Sequence, residues 1–172
     1  MSKITSLEEA FVHELSDVYS AEKQLTKALP KLAKAATNQG LAAAFTQHLE
    51  ETQGQIERID QIVETLGLKL KRIKCLAMEG LVAEGAEAIE EIEKGPVRDA
   101  VLIIGAQKVE HYEIAAYGSL ITVAKSLGYD EAVTLLGETL EEEKSTDEKL
   151  STIALSEVNR EALQQNQVEP AQ

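Results

Sequence analysis

The 172 residues carry 30 acidic against 17 basic side chains, a formal net charge of −13 and a pI of about 4.7. Such a chain repels nucleic acid and anionic membranes, and two Phe with no Trp leave little to stack on bases. The 44% apolar content suits a globular core without a bilayer-spanning run, and the single cysteine, Cys75, excludes an internal disulfide.

Helical periodicity runs through the chain, and no segment alternates as a strand. The opening "MSKITSLEEAF" has no hydrophobic leader, so the expected compartment is the cytoplasm. The first helix is predicted over 7–36, with Ser6 and Glu9 as a capping box and Pro30 placed to kink it. The second spans 41–66, between Gly40 and a terminating Gly67. The basic stretch "KLKRIK" (69–74) reads as a solvated loop, and a shorter helix follows over 76–93. Gly95-Pro96 restarts the chain into a third long helix that stops at Gly128. Asp130 is placed to cap a fourth, running to about 158, and residues 161–172 form a polar flexible tail.

Helices of roughly 25 to 30 residues are about 40 Å long. Four of them make an all-α, up-down four-helix bundle over 1–160. The connection from 68 to 95 forms one long crossover that carries the short extra helix. Among bundles, a single long crossover is the mark of ferritin-like folds.

The core stripe of each helix is interrupted by acids near its middle. The first reads Phe11, Glu14, Val18, Ala21, Leu25, Ala28, Leu32. The second reads Phe45, His48, Thr52, Gln55, Ile59, Ile62, Leu66, with Glu51 at its edge. The third runs through Ile103, Ala106, Glu110, Glu113, Tyr117, Leu120 and Ala124, and the fourth through Leu136, Leu140, Glu143, Asp147, Leu150 and Ala154. In so acidic a chain, one Glu on a stripe is most simply a carboxylate snorkelling to water. Acids on every stripe at one height are harder to solvate. An unpaired buried carboxylate loses several kcal/mol of solvation and repels its neighbours. Lys108, Lys144 and Lys149 fall off the stripes, so a divalent cation, or two, is the expected counter-charge. His48 shares a face with Glu51 and is either a ligand or a hydrogen-bonded core histidine. Tyr117 is either a donor to a ligating carboxylate or an ordinary core tyrosine.

The stretches "ELSDVYSAEKQL", "HLEET", "KCLAMEGLVAEG", "QKVEHYEIAAYGSL" and "TLEEEKSTDEKL" resemble, in order, blocks of the bacterial YciE/YciF stress-protein family over about residues 5–157. The resemblance implies a rubrerythrin-like fold, homodimers, an association with stress and no established activity. It also implies ligands at Glu14, Glu51, Glu110, Glu113, Glu143 and Asp147, and with His48 from the second stripe these make up the expected metal set. Asp17 and Glu22 compete with Glu14 on the first helix, and Glu142 competes with Glu143 on the fourth. Two departures from rubrerythrin stand out. Gly54 occupies the usual histidine position after Glu51, and there are no Cys-x-x-Cys pairs for a rubredoxin-like centre.

A carboxylate-rich site with at most one imidazole suits iron or manganese. The expected function is a stress-associated dimetal protein handling oxygen or peroxide, or sequestering metal. The alternative is a metal-free homodimeric helical interaction or structural protein. The short helix near 76–93 carries Leu76, Met78, Leu81, Val82, Ile89 and Ile92, more apolar surface than a connector should expose. It is the expected homodimer contact.

Overall fold

A computed structural model describes residues 3–165. Every regular element among them is helical: α1 Leu7–Ala35, α2 Gln39–Leu66, α3 Leu76–Glu91, α4 Pro96–Leu127, α5 Asp130–Ile153, a π-helical turn Ala154–Val158, and α6 Asn159–Gln165. No helix is long and apolar enough to cross a membrane. The four long helices close a ring in which α1 packs on α2, α2 on α5, α5 on α4, and α4 on α1.

Local chemistry sets the ends. Ser6 accepts from the Glu9 amide at 3.1 Å while the Glu9 carboxylate reaches back to the Ser6 amide at 3.2 Å, which is the expected capping box. Gly67 and Gly128 end α2 and α4 at φ 62° and 75°, a left-handed conformation that a Cβ disfavours. Asn38, not Gly40, opens α2, its side chain accepting from the Leu41 amide at 2.9 Å. Asp130 does not cap α5. It is the first helical residue, placed where its charge favours the helix dipole, and Tyr129 precedes it without a side-chain cap. The expected tail is helical as far as Gln165, and residues 166–172 lie outside the described residues.

Two polar devices fix the connections. Segment 67–75 is laid along α1 by side chains at successive turns. Ser16 Oγ accepts from the Lys71 amide at 2.9 Å, Ser20 Oγ from the Cys75 amide at 2.9 Å, and Gln24 Nε2 donates to the Cys75 carbonyl at 3.0 Å. The turn from α1 to α2 is clamped to the start of α4. Arg98 Nη2 donates to the Ala35 carbonyl at 2.7 Å, and the buried Asp99 carboxylate accepts from the Thr37 and Asn38 amides at 2.9 and 2.7 Å. Asp99→Ala strips two amides of a charged acceptor and should cost about 2–4 kcal/mol in chemical denaturation. An unchanged midpoint would show that water replaces the clamp.

Core side chains gather in two clusters. One joins Leu25, Leu29, Leu41, Phe45, Met78, Leu102, Ile103, Leu150 and Ile153. The other joins Phe11, Leu15, Val18, Ile59, Ile62, Tyr117, Leu120 and Leu136. Helix α3 packs on α1 and α4 of its own chain. Met78 is buried, Leu81, Val82 and Ile89 are partly covered, and only Leu76 is left 74% exposed. The chain itself therefore covers most of the apolar face on which a homodimer was expected.

Candidate metal centre

Between the two clusters lies a polar layer to which each long helix contributes. Glu22 comes from α1, His48, Thr52 and Gln55 from α2, Glu110 and Glu113 from α4, and Glu143 from α5, and all are buried. One ligand atom each from His48, Glu110, Glu113 and Glu143 falls within a 4.8 Å cluster. His48 Nε2 stands 3.4 Å from Glu110 Oε1 and 3.8 Å from Glu143 Oε2. Its other nitrogen, Nδ1, is 3.4 Å from Glu51 Oε2. Tyr117 donates its hydroxyl to Glu22 Oε1, and Gln55 Nε2 donates to Glu143 Oε1.

Two expected residues lie at the edge of this layer. Glu51 is 25% exposed and also accepts from Thr146 Oγ1 at 3.3 Å and Gln47 Nε2 at 2.8 Å. Asp147 is 23% exposed and is engaged by Gln107 Nε2 at 3.2 Å and His111 Nε2 at 3.3 Å, away from the cluster. The α5 stripe runs through Thr139, Glu143 and Thr146, not Leu140 and Asp147. Glu142 also lies at the edge of the layer, where Gln55 Nε2 reaches it at 3.1 Å and Arg58 binds it through both terminal nitrogens at 2.8 and 2.5 Å.

Glu14 is a correction. It is exposed, and Glu22 holds the α1 position in the layer. Burial on α1 runs through Phe11, Leu15, Val18, Ala21 with Glu22, Leu25 and Leu29, so the expected Ala21 is in the core, while Glu14 and Ala28 give way to Leu15 and Leu29 one residue later. The signal was present in the sequence. Leu15 and Leu29 lie seven residues on either side of Glu22, whereas the same spacing from Glu14 passes only through Ala21 and Ala28. Two leucines outweigh two alanines as core formers. Asp17 is taken up elsewhere, accepting from the Tyr112 hydroxyl at 2.7 Å, which itself stands 3.1 Å from Cys75 Sγ.

The electrostatics follow from burial. Desolvation, with the Glu143 charge second, pushes the Glu22 carboxyl up to about 8. Burial, reinforced by neighbouring carboxylates, also holds Glu110 and Glu113 well above the usual carboxylate range. Burial works against a charge on His48, but the Glu51 hydrogen bond and the charges of Glu143 and Glu22 overcome it and raise its pKa. No lysine or arginine pairs with these acids among the described residues. The nearest arginine along α2, Arg58, is spent on Glu138 and Glu142.

Seven buried atoms of the layer have no hydrogen-bond partner: Glu22 Oε2, His48 Nε2, Gln55 Oε1, Glu110 Oε2, both Glu113 oxygens and Glu143 Oε2. Native interiors rarely leave such groups unpaired. The donor set fits a hard divalent cation, with five carboxylate oxygens and one imidazole nitrogen directed inward. The imidazole comes from His48, three residues before Glu51, rather than from position 54, where Gly54 stands.

Comparison with known proteins places this geometry in context. The family model described as "Domain of unknown function (DUF892)" matches residues 6–163. Protein YciF of Escherichia coli (strain K12) is 62% identical over 158 residues, covering 91% of this chain and 95% of that protein. The crystal structure of the E. coli stress protein YciF superposes with a TM-score of 0.89 at 61% identity, over 91% of this chain and 99% of the other. YcfI from Rhodopseudomonas palustris, named as a candidate structural protein, superposes with a TM-score of 0.85 at 48% identity, over 88% and 97% of the two chains.

Proposed function

The chain belongs to the DUF892 family, that of the E. coli stress protein YciF, and within it we propose a ferritin-like four-helix bundle that binds one or two divalent metal ions in its buried acid layer. The single observation that carries this reading is the convergence of partnerless buried donor atoms on one small volume. Glu22, His48, Glu110, Glu113 and Glu143 are the ligands, and iron or manganese is the metal class their hardness favours. Such ions supply one-electron chemistry toward oxygen or peroxide when bound, or are held without turnover.

The residues divide the remaining work. Glu51 orients His48 through Nδ1, which leaves Nε2 free toward the cluster. Tyr117 fixes one Glu22 oxygen and leaves the other open. The apolar clusters on either side exclude water, so protons leaving the carboxyls exit past the rim at Glu51. A protein of the cytoplasm, with a homodimer contact at exposed Leu76 of α3, completes the proposal.

A second reading rests on the raised carboxyls. Protonated acids do not repel, so the layer also suits a metal-free structural protein. Metal analysis of protein purified without chelators separates the two. We expect at least one iron or manganese per chain, and a metal-free protein that also fails to take up ferrous iron under anaerobic conditions overturns the metal reading. Light scattering at micromolar concentration tests the dimer, with a monomer as the contrary result.

A further inference from the structure

One partnerless atom of the acid layer is neither a carboxylate oxygen nor an imidazole nitrogen. It is Gln55 Oε1, and the ligand set of Glu22, His48, Glu110, Glu113 and Glu143 leaves it unused. Gln55 lies on α2 and is fully buried. Its nitrogen end is occupied, with Nε2 donating to Glu143 Oε1 and to Glu142 Oε2 at 3.1 Å. A side-chain amide has two N–H donors, so both are engaged. Arg58 in turn grips Glu142 through both terminal nitrogens. The amide is therefore held in one orientation, because turning it over would aim its oxygen at two carboxylates.

The oxygen end has no partner. A buried carbonyl oxygen left bare loses its hydration and gains nothing in return. The other partnerless atoms around it are mostly acceptors too: Glu22 Oε2, Glu110 Oε2, both Glu113 oxygens and Glu143 Oε2. Ionised acids and an amide oxygen cannot satisfy one another, whereas a cation satisfies all of them. Gln55 and His48 also flank the same carboxylate. His48 Nε2 stands 3.8 Å from Glu143 Oε2, while Gln55 holds Oε1. The two are seven residues apart on α2, about two helical turns, and so share a face.

We propose that Gln55 is a metal ligand, its Oε1 coordinating an ion that Glu143 also holds. An amide carbonyl is a hard oxygen donor of the kind that serves such cations. It is also neutral, which suits a layer where four carboxylates, those of Glu22, Glu110, Glu113 and Glu143, already suffice to neutralise two divalent ions. The inference rests on the metal reading and adds a donor that reading does not assign.

Manganese is the probe. In crystals of the full chain grown with manganous chloride, the anomalous peak should lie within bonding distance of both Gln55 Oε1 and Glu143. In calorimetric titrations, Gln55→Leu should weaken manganese binding about tenfold or more, and Gln55→Glu should bind at least as tightly as the unmodified chain. That rescue separates ligation from mere positioning, because a carboxylate at position 55 offers an oxygen to the ion but no N–H to Glu143. Circular dichroism checks that each variant keeps its helices, and the crystal of the unmodified chain decides the matter if one does not. Manganese held by the acids with Gln55 Oε1 turned away overturns this inference alone, and so does a folded Gln55→Glu that binds as weakly as Gln55→Leu. No manganese binding to the unmodified chain overturns the metal reading and this inference with it.

Discussion

Raising the pH from 5.5 to 8 will destabilise the metal-free protein and stabilise the metal-loaded one. Glu22 titrates near 4.5 in an ordinary setting and at about 8 in the fold, so between those values the folded chain binds the extra proton. Its stabilising contribution is complete below the lower value and is lost as the pH rises through the upper one, and about 3 kcal/mol of it falls between pH 5.5 and 8 for this group alone. Glu110, Glu113 and His48, all raised, act in the same direction. Glu51 is lowered, chiefly by its hydrogen bond to His48, and acts oppositely only in the acid range below this window. A metal ion displaces these protons, so its affinity, and the stability it confers, grow with pH. Urea titrations at three pH values, with chelator and with saturating manganese, should give slopes of opposite sign. Glu22→Gln should make the chelated series shallower without flattening it, since Glu110, Glu113 and His48 still titrate, and this separates the layer from the general repulsion of an acidic chain. A flat chelated series in the unmodified protein would mean that the carboxyls are solvated.

Glu113→Leu should abolish metal binding and make the metal-free protein more stable. Both Glu113 oxygens are buried without partners, so the carboxylate costs solvation and returns no hydrogen bond. Replacing such a group by a hydrocarbon of similar size removes the cost of an unpaired buried polar group and should stabilise by about 1–3 kcal/mol. Metal affinity should fall at least about 100-fold, since a ligand is lost outright and not merely a group that orients one. Glu14→Leu is the matched control. Its side chain is exposed on α1, and neither metal affinity nor stability should move appreciably. Equal effects at positions 14 and 113 would remove the distinction between the buried layer and the acidic surface.

Most of the fold was legible because its signals are local and redundant. Ser6 with Glu9, Gly67, Pro96 and Gly128 bound the helices to within a few residues. On α2 and α4 the buried face follows the apolar stripe without ambiguity, so His48, Glu110 and Glu113 fell where expected. On α1 and α5 two interleaved stripes share every seventh residue, and periodicity alone does not choose between them. That ambiguity separates Glu14 from Glu22, and Asp147 from Thr146. Partner choice was also hidden. Nothing in the sequence shows that Arg58 takes Glu142 out of contention, or that Ser16, Ser20 and Gln24 lay the crossover along α1. These are contacts between residues 51 to 84 positions apart.

The division of the core into two hydrophobic clusters bears on how an ion could reach a layer whose His48, Glu110, Glu113 and Glu143 are at most 3% exposed. Each end of the molecule coheres around its own apolar nucleus, while the waist between them gathers acids that repel one another once they lose their protons. The waist is therefore the plane of least cohesion, and transient opening is cheapest there. On the metal reading, that repulsion would make the waist the doorway, and a cation that cancels it would close the door behind it. Capture would then be quick and release slow, a ratchet built from misplaced charge and not from any moving lid.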